Sequence, residues 1–449
     1  MSDTHRRRLW SAFGPPVKSS AQVQRAARWP HWLSQILLFV IVLRVNGTLS
    51  PKFNPANFED LTSAAFAAET SSSDLYNQIF WLCIGLASTM CLVSRSSTIT
   101  PYLRSVWLLP ALLLLCVLSA FWATHLGISF RRSILLTIGA YSTIVAVLYC
   151  RNPAEFLRAV YLAFLVAMLL NLVTLAFPFS FDSRHLFRGA VGDKNFLGVI
   201  AAVGLALSAT WGTQFSSVLM RSLNMVHFGS WVAMIALTGA KTAIALCVVA
   251  PILAVAAAVL TSRLRVALHA SLTIAVVTLA ALFQFVIYAL DFSIEDITGF
   301  FVADVSFTGR DVIWKFVLEQ FKSHWLLGVG YGSFWGVGLD AENLKSEYNF
   351  VRVLTQSHNG YLDVALTTGA AGLVLTIGFL YQITVLVGKI RRVNRPLYQF
   401  GLLILIFTAI HNLTDSSLVR GVSCLWIMLV AIAAAAAKQS YWAGRPSRA

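Results

Sequence analysis

"QSHNGYLDVALTTG" (356–369) opens a run that stays apolar to about residue 388. Within a few residues the chain changes from a polar loop end to an apolar segment. Such a segment is long enough to cross a bilayer, which takes about 20 residues of helix. An imidazole (His358), a carboxamide (Asn359) and, one turn in, a carboxylate (Asp363) stand at its mouth. Polar groups are costly at a membrane edge unless they have partners or a task. The stretch therefore sets the fold class and raises the question of what His358 is for.

The whole chain reads the same way. Of 449 residues, 57% are hydrophobic and 12% charged, against about 25% charged in a soluble domain; mean hydropathy is +0.72. Segments of spanning length fall near 31–48, 76–94, 103–124, 132–150, 156–178, 195–213, 222–238, 241–261, 266–290, 360–388, 397–412 and 418–437. The expectation is an all-α integral membrane protein with about 12 transmembrane helices. A basic N-terminal tail (1–30) precedes helices 1–9 (31–290). A large loop (291–359), helices 10–12 (360–437) and a short tail (438–449) follow. Only "TGAKTA" (238–243) separates the seventh and eighth spans.

The net charge of +15 suggests nucleic acid only if its distribution is ignored. With both termini in the cytoplasm, 20 of the 34 basic residues fall on that side, against two acids, Asp3 and Glu155. Basic residues favour the cytoplasmic side of short loops, so the charge reports orientation, with inner-membrane lipids as surroundings and no nucleic-acid partner. Cys83, Cys91, Cys116, Cys150, Cys247 and Cys424 lie in or beside apolar runs and form no CxxC pair, so neither a disulfide framework nor a thiolate metal site is expected. "AFAAE" (65–69) resembles a signal-peptide cleavage site but lies too far past the first apolar run, which reads as a retained anchor.

Sites concentrate in long loops on rigid scaffolds, and three outer connections qualify: 179–194, 238–242 and 291–359. In the last, "TGRDVIWKFVLEQFK" (308–322) sets Asp311, Lys315, Glu319 and Lys322 on one face and Ile313, Trp314, Val317, Leu318 and Phe321 on the other. Thr308 with Asp311 matches a capping box. The pattern predicts an amphipathic helix lying in the interface, Trp314 at headgroup depth. Arg310 in its first turn opposes the helix dipole; with the unpaired amides there it can form an anion site, or it can be a surface arginine paired with an acid. "HLFRGAVGDKNFLG" (185–198) clusters Arg188, Lys194 and Asn195 among glycines that allow close backbone approach; the alternative is a tight turn with snorkelling cations. "TGAKTA" lacks the Gly-Lys pair of a phosphate loop, yet places Lys241 on the outer side. "GVGYGSF" (328–334) reads as a turn. Asp363 is placed to orient His358, and His411, Asn412 and Asp415 read as a helix cap. Arg188, Lys194, Lys241, Arg310 and His358 all face outward, as a site for a polyanion would require. No DxD or HExxH pattern suggests a metal; arginine can neutralise a departing pyrophosphate instead.

"FRGAVGDKNFLG", "TGRDVIWKFVLEQFKSHWLLGVGYGSF" and "SHNGYLDVALTTGAAGL", in that order and spacing over roughly 180–380, resemble the O-antigen ligase and polysaccharide polymerase superfamily of bacterial envelopes. The resemblance implies a GT-C-like frame and a large periplasmic loop carrying the amphipathic helix. It implies a metal-independent inverting glycosyltransferase without cofactor at the periplasmic face of the inner membrane. The donor would be an undecaprenyl-diphosphate-linked oligosaccharide. Arg188 and Arg310 would meet the diphosphate and His358 would be the essential histidine; Lys194, Asn195, Lys241 and Asn359 are candidates for substrate binding from the residue pattern itself. His358 would act as a base or as a diphosphate ligand. Asp193 departs from the family pattern and puts the role of Lys194 in question. A polymerase would add the glycan to another lipid-linked glycan, a ligase to lipid A-core, with a chain-length regulator and a flippase as companions. "SHNGYLDVALTTGAAG" reads closer to the exopolysaccharide polymerases. A lipid-oligosaccharide flippase is the alternative of another class. It would place charges near the midplane and show repeated halves; this sequence shows neither.

Overall fold

A computed structural model describes residues 31–52, 74–93, 99–290, 309–339, 341–421 and 423–443. Each of the twelve expected apolar segments coincides with a helix: α1 (His31–Val45), α2 (Leu75–Val93), α3 (Leu108–Leu118), α4 (Leu126–Tyr149), α5 (Pro153–Thr174), α6 (Lys194–Thr210), α7 (Val218–Thr238), α8 (Lys241–Arg263), α9 (Leu268–Leu290), α11 (Gly360–Lys389), α12 (Arg395–His411) and α13 (Cys424–Ala443). The intervening α10 (Arg310–Ser323) is the amphipathic helix. Among the described residues, seven helices are long and apolar enough to cross a membrane; α1, α3, α9 and α12 hold shorter apolar stretches. This is a multi-pass membrane protein. The capping box at Thr308 falls outside the described residues; α10 begins after Gly309.

A helix apolar on every side can sit in the interior of the bundle, buried on every side. α13 is that helix: each residue from Cys424 to Ala437 is buried, and it packs on α4, α11 and α12. Small residues let neighbours close up; Gly204 of α6 lies directly beneath the Trp231 indole of α7.

α11 is broken at Gly369, where φ is +70° and ψ −172°, a region open essentially to glycine alone. Backbone groups freed at a break must find partners inside a membrane protein. The segment before the glycine-rich turn supplies them. Val329 and Gly330 donate to the Leu366 and Thr367 carbonyls, and Ala370 and Ala371 donate to Trp325 and Leu326, at 2.7–3.2 Å. A Cβ at Gly369 would run into the Leu326 carbonyl. "GVGYGSF" is the expected turn. Arg132 of α4 clamps it by donating to the Gly332, Trp335 and Gly336 carbonyls at 2.5–2.8 Å.

The apolar face of α10 does not lie on lipid as expected. Ile313 and Val317 are buried against Phe334, Trp335, Val351 and Leu366, and the Trp314 indole donates to the Ser357 carbonyl at 3.1 Å. The periodicity identified a buried face correctly; the turn and the α11 entrance, rather than the interface, cover it.

Candidate active site

The entrance to α11 is built by hydrogen bonds on either side of one peptide. Asp363 accepts from the Ser357 amide at 3.0 Å and from the Trp335 indole at 2.9 Å, while Trp314 holds the Ser357 carbonyl. Asn359 caps the helix by accepting from the Tyr361 and Leu362 amides. Between these anchors His358 adopts φ +53°. Non-glycine residues in that region are uncommon and gather at functional sites. Asp363 therefore shapes the loop backbone and does not orient the imidazole.

The side chain that faces His358 is Asp415. Its Oδ1 lies 3.8 Å from His358 Nδ1 and its Oδ2 lies 3.7 Å from His411 Nε2. Gln356 Nε2 bridges the two, donating to Asp415 Oδ1 at 3.1 Å and lying 3.3 Å from His358 Nδ1. The Gly360 amide donates to the carbonyls of both Asn412 and Asp415 at 2.9 Å, so the ends of α11 and α12 are fixed in register. Burial alone would raise the Asp415 pKa; His358, the nearby charge of His411 and the Ser416 amide outweigh it and hold the carboxyl at about 2. Arg310, half-buried, is lowered by desolvation and partly restored by the charge of Asp415, which places the guanidinium in the same electrostatic cluster.

The cluster borders a cavity of about 560 Å³. Arg44, Lys52 and Arg420 supply positive charge to its wall, and Asn195, His358, His411 and Asp415 also line it. Every helix end that reaches it lies at the same end of the bundle. The alternation of helices puts Arg151, Arg263, Lys389, Arg391, Arg392 and Arg395 at the opposite end.

Of the expected site residues, His358 and Asn195 line this cavity and Arg310 couples to its acid. Arg188 does not line it; its Nε donates to the Phe179 carbonyl at 3.1 Å. Lys194 pairs with Asp182 at 3.2 Å, while Asp193 caps α6 through the Phe196 amide. The suspected neutralisation of Lys194 thus exists, from a different acid. Lys241 is exposed at the start of α8, away from the cavity lining. The Asn359 side-chain oxygen is committed to the helix cap. Sequence reasoning passed over Arg44, Lys52, Gln356 and Arg420, and read His411 and Asp415 as a cap. Asn412 does make that turn, accepting from the Ser417 and Leu418 amides; Asp415 was the signal within it, an acid beside a histidine at a membrane edge.

Residues 227–377 match the family model described as O-antigen ligase. The exopolysaccharide production protein ExoQ of Rhizobium meliloti (strain 1021) is 25% identical over 324 residues, 69% of this chain and 70% of that protein. Part of the chain is therefore similar to the O-antigen ligase family, and most of it to an exopolysaccharide production protein. The ligase-like segment contains Arg310 and His358, with the whole of α10 and the break in α11. Asn195 and Asp415 lie on either side of it, so the cavity joins the matched segment to helices before and after.

Proposed function

We propose that the chain is a glycosyltransferase that moves an oligosaccharide from undecaprenyl diphosphate to a glycan acceptor at the periplasmic face of the inner membrane. The observation that carries this reading is the Asp415–His358 pair on a cavity walled by Arg44, Lys52 and Arg420, with Arg310 close enough to feel the charge of Asp415. Donors aimed where charge develops stabilise a transition state. As the acceptor hydroxyl attacks the anomeric carbon, the glycosidic bond to the diphosphate breaks and the anomeric centre inverts. The leaving oxygens gain charge, which Arg310 and the cavity cations neutralise without a metal. A diphosphate role for Arg188 rests on the family resemblance and not on its present contacts.

His358 serves here as a hydrogen-bond donor to the diphosphate. Asp415 turns the Gln356 amide so that its NH2 group faces His358 Nδ1, which then accepts. The imidazole proton sits on Nε2, where a neutral ring donates. The similarity to ExoQ, an exopolysaccharide production protein, favours a polymerase over transfer to lipid A-core.

The test is elongation of an undecaprenyl-diphosphate oligosaccharide by the purified chain, with chelator and without lipid A-core. Longer lipid-linked glycans, lost in His358→Ala, support the polymerase. Product formed only after lipid A-core is added indicates a ligase. No product with either acceptor overturns glycosyl transfer in favour of transport.

A further inference from the structure

The reaction proposed above needs an acceptor as well as a donor. A second cavity of about 450 Å³ lies beside the first, within the range of about 300–1,000 Å³ typical of small-ligand clefts. Thr355, Ser416, Arg420 and Gly421 line both cavities and form the wall between them.

The two are chemically unlike. The first presents Arg44, Lys52 and Arg420 beside the carboxylates of Asp193 and Asp415, and its described lining holds no tyrosine or tryptophan. The second presents Asp363 and Thr367 from the outer half of α11, with Tyr331 and Trp335 from the clamped turn. Its own cation, Arg132, is already engaged with three backbone carbonyls. A carboxylate has about four lone-pair sites; Asp363 has given some to Ser357 and Trp335 and keeps capacity for more. Carboxylate, hydroxyls and aromatic rings suit a ligand with hydroxyl donors on an apolar ring, which is a sugar, better than a polyanion.

The wall carries an independent sign. Ser416 is only 7% exposed, and its Oγ has no hydrogen-bond partner among the described residues. Leaving a buried hydroxyl unpaired costs about 1–3 kcal/mol, so the position suits a ligand's polar group.

The geometry points to the second cavity as the site for the acceptor glycan, whose nucleophilic hydroxyl reaches the anomeric carbon through the wall at Thr355, Ser416 and Arg420. This rests on the glycosyl-transfer reading above. In the step, the acceptor oxygen bonds to the anomeric carbon and the bond from that carbon to the diphosphate oxygen breaks. The electron pair leaves with the diphosphate, and the hydroxyl proton passes to a diphosphate oxygen or to water.

The test uses the full chain in lipid nanodiscs and diazirine-bearing oligosaccharides. One arm carries repeat units released from the producing cell's polysaccharide, the other lipid A-core oligosaccharide. Adducts at 331–336 and 363–368, displaced by the same unlabelled sugar but not by undecaprenyl diphosphate, are expected in the arm matching the true acceptor. Adducts confined to Lys52 and Asn195, displacement by undecaprenyl diphosphate, or no sugar-specific adduct in either arm would overturn the assignment. Thr367→Phe narrows the second cavity only. It should raise the half-saturating acceptor concentration about tenfold, equivalent to 1.4 kcal/mol, while binding of fluorescent undecaprenyl diphosphate is unchanged. A folded variant with unchanged acceptor dependence also overturns the assignment, and if the variant does not fold, the wild-type adducts decide. Failure of the wild type to bind undecaprenyl diphosphate defeats the glycosyl-transfer reading itself, a distinct outcome that removes this inference with it.

Discussion

Asp415 Oδ1 and His358 Nδ1 face each other at 3.8 Å from the ends of two different helices, α12 and α11. The approach is set by backbone, because the Gly360 amide binds the Asp415 carbonyl directly. A carboxylate so placed fixes the Gln356 amide, and through it the imidazole, and balances the charge of Arg310.

Asp415→Asn keeps the size and the turn but removes the charge. Turnover should fall about 100-fold or more, the usual scale for a group controlling proton position, while undecaprenyl diphosphate still binds. Single-turnover rates beside a donor-binding isotherm separate the two effects. A variant turning over at the wild-type rate would remove Asp415 from the reaction.

The low pKa of Asp415 also predicts a pH window for stability. A carboxyl held at about 2, below its value of about 3.9 in an unfolded chain, stabilises the fold fully above pH 4. That contribution, about 3 kcal/mol, is lost as the pH falls from about 4 towards 2. Thermal unfolding across that window should drop more steeply for the wild type than for Asp415→Asn.

If His358 donates through Nε2, an amide can replace part of it. His358→Asn should retain measurably more transfer than His358→Ala, because the carboxamide still donates a hydrogen bond. Equal inactivity of the two variants would favour a base.

Much of the fold is legible in the sequence because hydropathy reads burial. All twelve apolar segments coincide with helices, and of the apolar face expected for α10, Ile313 and Val317 are buried while Leu318 is exposed. Three things are not legible, for definite reasons. Periodicity marks the Ile313 and Val317 face as apolar without naming what covers it. The run through Gly369 reads as one helix because hydropathy is blind to where backbone hydrogen bonds go. The pairing of Asp415 with His358 depends on a register between chain ends that no local pattern encodes, whereas His358 was visible as a polar group at a membrane mouth.

Gly369→Ala tests the break. Alanine is unsuited to this φ and ψ, at about 1–3 kcal/mol for the backbone alone, and its Cβ meets the Leu326 carbonyl. A loss of at least that size in denaturant titration is expected, together with loss of transfer. An alanine variant as stable as the wild type would mean that the break is not needed.

Away from the site, buried His227 accepts from the Trp231 indole at 2.9 Å, and its Nδ1 lies 2.7 Å from Ser208 Oγ. Trp231→Phe leaves Nε2 unpaired and should cost about 1–3 kcal/mol without altering donor binding. A change in donor binding would tie this pair of helices to the cavity.

The break in α11 divides a 30-residue helix into parts with different surroundings. Residues 370–389 alone extend about 30 Å at 1.5 Å per residue, which matches the hydrocarbon thickness of a typical bilayer. The 325–330 segment pins both sides of the break, Leu366 and Thr367 of the outer part, which carries Asp363 and adjoins His358, and Ala370 and Ala371 at the start of the inner part. A thicker or thinner membrane therefore changes the tilt of the inner part and leaves the histidine where it is. If the chain transfers glycan as proposed, turnover in vesicles of differing acyl-chain length should vary little.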